Sequence, residues 1–391
     1  MSEIKVNSVK GVGASTAAIT INNSDGTCTA NITNNVGNKN FIINGGHEVA
    51  QRGTAQVIVS SSVGYRSVDR YKTDIDGSGV TGRWSHGQST DVPANLGFRT
   101  SSKILVTTVQ SQPSGNDVNN QFYYMMEKQD VTVLRWGSAN AKTCTLSFYV
   151  KGSVTGTYPL WLQYYGANDT DYFYYTSYTI DTANTWERKT ITLTGPTSGG
   201  QSATDPQNTG LRIEWGIGYG SDLETGTLNE WTTSDTKRIP PGHVYLPENA
   251  GATWFLTGCQ FEISPVATEF ERCPYYKALE YCQRYYQRHD FVTAGAFMGA
   301  LMGFYNTDTE IRVFYNCRVI MRATPTLEYS ALGDFDVEPR DRPISNLSID
   351  RANNRQICLK STSLTDDNGK GEAACLTIDQ DGGFIAFNAE M

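Results

Sequence analysis

The feature that most constrains this chain is a change of period between Thr253 and Arg288, TWFLTGCQFEISPVATEFERCPYYKALEYCQRYYQR. At its start, Phe255, Thr257, Cys259, Phe261 and Ile263 alternate with Trp254, Leu256, Gly258, Gln260 and Glu262. That alternation predicts a strand with two unlike faces. After Pro274 the spacing turns helical: Tyr275, Leu279, Cys282 and Tyr286 recur at i, i+4, i+7 and i+11, on one face. Pro274 suits the first helical position, where a missing N–H costs nothing. A long β region therefore ends here, one short connector helix follows over Pro274–Arg288, and another β region begins.

The rest of the chain fits an all-β reading. Its 391 residues allow two or three domains with ample core. Only 18% of residues are charged, Gly is abundant at 37, and amides and hydroxyls supply most of the polarity, as in short strands joined by many turns. A net charge of −8 and no basic patch interleaved with aromatics argue against a nucleic-acid partner. MSEIKVNSVKG lacks the apolar h-region of a signal peptide.

One apolar run, Phe291–Tyr305, carries Gly295, Gly299 and Gly303 at fours. It is shorter than the roughly 20 residues a span needs, so no membrane span is expected. It reads as a pair of short strands whose glycines sit where backbone or another subunit comes close. The eight cysteines form no C-x-x-C pair and no zinc spacing. Cys144 and Cys259 fall on apolar strand faces. Reduced, buried thiols are expected, with assembly in a reducing cytoplasm.

Three units follow in order. Residues 1–39 are small and polar, with short alternating runs on either side of Ser24-Asp25-Gly26. They read as a hairpin that buries little alone and serves as a docking or trimerising segment. Residues 40–272 read as a sandwich or jelly roll. Its strands include Thr157–Tyr165, Tyr172–Ile180, Trp186–Thr194 and Leu211–Tyr219, the last with Leu211, Ile213, Trp215, Ile217 and Tyr219 on one face. Trp254–Ile263 closes this unit. Residues 273–391 hold the helix and a smaller β domain with strands at Glu310–Met321, Leu327–Tyr329, Asn346–Ile349, Gln356–Lys360, Ala374–Ile378 and Phe384–Asn388.

Four stretches carry a family resemblance: NFIINGGHEVAQRGT (40–54), LRWGSANAKTCTLSFYVK (134–151), ATEFERCPYYKALEYCQRYYQR (267–288) and VIMRATPT (319–326). In this order and spacing they resemble tail-fibre and other virion structural proteins of tailed bacteriophages, notably marine and cyanobacterial ones. His47 and Asn316-Cys317 depart from the family's usual residues. The resemblance implies a carbohydrate-binding-module-like jelly roll opening near residue 40, a place in the virion, and no shared catalytic residues.

Among candidate sites, the aromatic strands come first. On Thr157–Tyr165, Trp161, Gln163 and Tyr165 share one face, and Tyr158, Leu160, Leu162 and Tyr164 the other. A two-layer sandwich cannot bury both faces. With Asn168, Asp169, Asp171, Tyr172 and Tyr174 nearby, this region could hold a sugar. Rings would stack on its CH face while amides and carboxylates bond its hydroxyls. Ordinary packing or a subunit interface would use the same residue types. Asp74, Asp76 and Ser78 match the start of a calcium loop, so a structural calcium is conceivable; Ser85 stands where the loop's last acidic ligand belongs, and a plain turn fits equally. No other cofactor is implied. No nucleophile, metal-hydrolase or P-loop motif is present, so an enzyme is not expected. Asp169 and Asp171 would be the carboxylates of a glycan depolymerase, the remaining chemical alternative.

These features lead to one expectation. The chain is a phage tail fibre or fibre-like appendage, a homotrimer attached to other virion proteins through residues 1–39, contacting host glycan through its β domains. The alternative is a purely structural capsid or tail component.

Overall fold

A computed structural model describes residues 8–9, 19–21, 28–30, 39–59, 63–77, 81–114, 118–200, 204–224, 228–235, 239–291, 300–339, 342–363, 369–378 and 382–391. Among the described residues the regular structure is almost wholly antiparallel strand. Near its start, Ser8–Val9, Ile19–Ile21 and Cys28–Ala30 form a small sheet. The last two pair as the expected hairpin, with Ile21 opposite Cys28.

The sandwich has two layers. One sheet has the order Glu187–Thr194, Thr143–Gly152, Thr253–Glu262, Ser101–Thr108, Arg83–Ser89, Val57–Val59. The other runs Trp231–Thr232, Asp171–Ile180, Gly156–Tyr165, Thr209–Tyr219, Asn119–Glu127, Tyr71–Asp76, Gly64–Tyr65. Their inner faces meet in one core, where Trp84, Phe148, Trp254 and Phe261 of the first sheet bury against Phe122, Tyr124, Leu162 and Trp215 of the second. Burial of this apolar surface is the main force holding the layers together.

Thr253–Glu262 closes the sandwich in sequence but lies at its centre in space, between Thr143–Gly152 and Ser101–Thr108. Its alternation is broken once. Trp254 and Leu256 enter the core, and so do Cys259 and Phe261, although strict alternation puts the two pairs on opposite faces. Pairing with Thr143–Gly152 slips between Ser147 and Tyr149, beside Gly258, whose φ is +62°. A bulge at glycine swaps the faces, because an extra residue shifts the period-two pattern. A second slip, between Gly216 and Gly218, turns Tyr219 away from the face of Leu211, Ile213, Trp215 and Ile217.

The helix spans Tyr275–Gln283, shorter than the spacing predicts. Pro274 has helical φ (−56°) but extended ψ (140°), so it caps the helix instead of opening it. Ala278 and Cys282 form the buried side, against Val49, with Leu279 and Ile43 beside them. Tyr275 is 49% exposed, and Tyr286 already belongs to the next strand, Tyr286–Asp290. A four-residue helix at Lys128–Val131 has no counterpart in the sequence reading. No helix among the described residues is long and apolar enough to cross a membrane.

Beyond the helix, Tyr286–Asp290, Phe384–Asn388 and Thr326–Tyr329 pair in a small sheet. Leu301–Tyr305, Glu310–Asn316, Gln356–Ser363, Arg342–Ala352, Phe335–Glu338 and Ala373–Ile378 close into a barrel. A separate core fills this part, including Ile311, Val313, Phe335, Leu359, Leu376 and Phe387. The strand predicted to reach Met321 stops at Asn316. Gly303 does mark a close approach, since a Cβ there would lie 1.7 Å from the Arg312 carbonyl oxygen. Gly295 and Gly299 lie outside the described residues. Of the described cysteines, Cys144, Cys259, Cys282 and Cys375 are buried as expected. Cys273, just before Pro274, is instead exposed, and Cys317 and Cys358 are only half-buried.

The two cores are joined by a buried polar seam. Arg284 donates to both oxygens of Glu127, each at 2.7 Å, and the Tyr285 hydroxyl donates to the same carboxylate at 2.6 Å. Burial alone would raise the Glu127 carboxyl. The hydrogen bonds from Arg284 and Tyr285 outweigh it and hold the group below the usual carboxylate range. Arg70 lies 3.4 Å from the Tyr285 ring centre and Arg52 3.5 Å from that of Tyr286, while the Gln51 amide reaches the Tyr286 carbonyl at 2.8 Å.

Candidate functional site on the outer face of the seven-stranded sheet

Alternation along each strand fixes which side chains reach the outer face of the larger sheet. On Gly156–Tyr165 these are Trp161, Gln163 and Tyr165; on the next strand Asp171, which pairs with Tyr165. Arg212 and Glu214 follow on Thr209–Tyr219, then Gln121 and Tyr123, then Lys72 and Asp74, and Tyr65 at the edge.

These groups contact one another across the strands. The Gln163 amide donates to Asp171 at 2.9 Å. The Arg212 guanidinium lies over the Tyr123 ring at 3.7 Å and near Trp161 at 5.0 Å. It donates to Gln121 at 3.1 Å and pairs with the Glu214 carboxylate, which also accepts the Tyr219 hydroxyl. Lys72 sits 5.8 Å from the Tyr123 ring and 5.5 Å from that of Tyr65. Partial burial, and then the neighbouring Asp76 charge, push the Asp74 carboxyl upward against the pull of Arg212 and Lys72. The row thus offers rings, amides and both signs of charge on a fixed sheet surface. Tyr165, Asp171, Arg212, Lys72 and Asp74 remain partly open to solvent.

The eight residues expected at a sugar site do not share this face. Gln163, Tyr165 and Asp171 do. Trp161 faces the same way but is only 2% exposed. It packs with Phe173, Tyr175 and Leu228, and its indole N–H donates to the Tyr219 hydroxyl at 3.0 Å. Both faces of Gly156–Tyr165 are therefore largely buried, contrary to the two-layer expectation, because Leu228 packs over part of the outer side, against Trp161, Phe173 and Tyr175. Tyr172 and Tyr174 point inward, at or against the main core. Asn168 stands exposed in the turn at Ala167–Asp169, in the left-handed conformation at φ 54°. Asp169 belongs to that turn, and its side chain lies outside the described residues.

Asp74 and Asp76 are strand residues two apart, opposite Gln121 and Asn119, while Ser78 lies outside the described residues. Among the described residues no three His, Cys, Asp or Glu side chains stand close enough to share a metal ion. Arg212, Tyr123, Gln121, Lys72 and Tyr65 were missed by the sequence reading. Alternation in NNQFYYMME and TGLRIEWGIGY carries the signal, but only the pairing order brings those strands beside Gly156–Tyr165.

The fold is thus a β-sandwich followed by a small barrel, with a polar and aromatic outer sheet face. No protein-family model matches the chain, and no curated protein matches it. Among solved structures it is similar to the enzymatically active domain of bacteriophage CBA120 tailspike protein 4, at 13% identity and a TM-score of 0.32 over 58% of this chain and 22% of that one. It is also similar to a family 11 carbohydrate-binding module of a Clostridium thermocellum cellulase, at 9% identity and a TM-score of 0.26, over 56% of this chain and 99% of the module. A third is a xylan-binding domain from Paenibacillus barcinonensis Xyn10C, at 14% identity and a TM-score of 0.28, over 50% and 92%. At these scores no ligand or activity carries across to this chain.

Proposed function

We propose that this chain is an adhesion protein of a tailed-phage virion, assembled in the host cytoplasm, which contacts host-surface glycan through the outer face of its seven-stranded sheet. The observation that carries this is the row Asp171, Gln163, Tyr165, Arg212, Tyr123, Asp74. Amides and charges lie in hydrogen-bonding reach of an oligosaccharide laid across the strands, with ring edges among them. The site works by binding alone: Asp171 is engaged by Gln163 and acts as a hydroxyl acceptor, without chemistry on the sugar. Single contacts of this kind are weak. Several copies on one particle, in a trimer docked by residues 1–39, would raise the effective concentration and hold the cell.

The test is titration of the whole protein with host envelope polysaccharide. Asp171→Ala or Tyr165→Ala should weaken binding about tenfold, the loss of roughly 1.4 kcal/mol. A second reading, a purely structural virion component, is favoured by the burial of Trp161, Phe173 and Tyr175 beneath the chain's own cover. Failure to bind any envelope glycan selects it.

A further inference from the structure

A groove of about 680 Å³ opens where the loop at 40–46, the helix Tyr275–Gln283 and the Val319-Ile320 segment converge. Its volume falls in the range of sites that take a drug-sized ligand or a few peptide side chains. Its apolar lining comes from Phe41, Ile43, Ala278, Tyr281, Val319 and Ile320. Tyr281 and Ile320 stay exposed there, at 36% and 43%.

The charges the groove leaves free are mostly acidic: three carboxylates against one cation. Arg284 is held by both oxygens of Glu127. Arg272 reaches away, to the Leu96 and Gly97 carbonyls and the Phe98 ring. Lys277 lies 5.7 Å from the Tyr281 ring and is the one basic side chain of the lining with no backbone or carboxylate partner among the described residues. Glu48, Asp130 and Glu280 also line the groove, and their carboxylates make no hydrogen bond or ion pair among the described residues. Glu48 further lines a second cavity of about 250 Å³, with Gln88, Arg99, Thr100 and Tyr275, so the track continues past the first turn of the helix.

We propose that this groove docks a short, extended peptide segment of a partner protein in which basic residues alternate with apolar ones. Apolar side chains would fill the floor between Ile43 and Ile320. Lys or Arg would pair with Glu48, Asp130 and Glu280 at the rim. Alternation suits the geometry, since successive side chains of an extended peptide point to opposite sides. Opposite charge at the rim speeds encounter and selects against acidic segments. The proposal is independent of the glycan face and stands or falls separately.

The probe is a fluorescein-labelled octapeptide of alternating Leu and Lys, titrated into the whole protein by anisotropy, beside its Leu/Glu counterpart. Saturable binding of the Lys peptide alone is expected, weakening as salt rises. Glu280→Lys and Ile320→Asp both alter exposed side chains and should each weaken it about tenfold or more. Glu230→Lys makes the same charge change at the exposed end of the Trp231–Thr232 edge and should leave binding within about twofold. Equal binding of the Leu/Glu peptide, equal loss in Glu230→Lys, or no saturable binding would overturn the proposal. So would displacement of the bound peptide by a neutral oligosaccharide.

Discussion

Arg70 and Glu390, 320 positions apart in sequence, form a buried ion pair that ties the sandwich to the last segment of the described chain. Arg70 also donates to the Met125 carbonyl at 2.7 Å and lies against Tyr285, while Arg52 stands 3.5 Å from the other Glu390 oxygen. Two guanidinium groups therefore share one carboxylate out of water. Removing only the carboxylate strands both cations, so Glu390→Ala should cost roughly 3–5 kcal/mol. Replacing Arg70 and Glu390 together with Met should cost less than Glu390→Ala alone. Guanidinium denaturation of the two variants checks the order.

The same seam sets a prediction at Glu127, which accepts from Arg284 and Tyr285. Glu127→Gln keeps the shape but removes the charge. Limited proteolysis should cut the segment after the helix faster, while the near-ultraviolet signal of the buried sandwich tryptophans stays unchanged. Simultaneous loss of both signals would mean that the seam is part of one cooperative core.

Acid should weaken the fold through two buried histidines. Ser102 Oγ bridges His47 Nδ1 at 2.8 Å and His86 Nε2 at 3.1 Å, and His47 Nε2 faces the Cys259 sulfur at 3.5 Å. Burial, with a smaller effect of Arg66, lowers His86 from 6.5 to about 3, and burial also lowers His47. Below pH 6.5 the unfolded chain takes up protons that the folded histidines refuse, so stability falls with pH until the folded values are reached. Asp69 opposes this. Burial raises it from 3.8 to about 6, so the stability it adds is complete below 3.8 and is lost as pH rises through 6. Between about pH 6 and 4 the contributions of His86 and Asp69 largely cancel, so the net loss as pH falls through that window comes from His47, which burial also lowers. His86→Gln should flatten that slope in urea titrations. An unchanged slope would mean that His86 is not the group taking up the proton.

Gly258 is the hinge of the central strand's bulge. Ala there would hold a left-handed φ of +62° and place its Cβ 2.7 Å from the Phe98 ring and 2.9 Å from Tyr149. Gly258→Ala should destabilise by about 1–3 kcal/mol in chemical denaturation, from backbone strain and crowding together.

These positions also show what the chain discloses before it folds. Strand and turn residues are local, so most long strands after residue 143 are legible from alternation and from Gly, Asn and Asp between them, whereas Tyr71–Asp76, Arg83–Ser89, Ser101–Thr108 and Asn119–Glu127 are not read from the sequence. The face each residue takes is less so. The slips at Gly258 and at Gly216–Gly218 depend on pairing with another strand, and each reverses the face of the residues beyond it. Burial of Trp161 depends on a cover from Leu228, far downstream in the chain. For the same reason the candidate site was only partly visible. Gln163, Tyr165 and Asp171 are local to one hairpin, but Arg212, Gln121, Tyr123 and Asp74 join them through sheet order alone.

The central claim is that the outer sheet face holds host glycan, and calorimetric titration of the whole protein with purified host envelope polysaccharide tests it most directly. Saturable binding is predicted, weakened about tenfold by Tyr165→Ala and by Asp171→Ala and unaffected by Ile320→Asp in the groove. No heat of binding with any envelope fraction, or binding indifferent to both sheet-face changes, would contradict it.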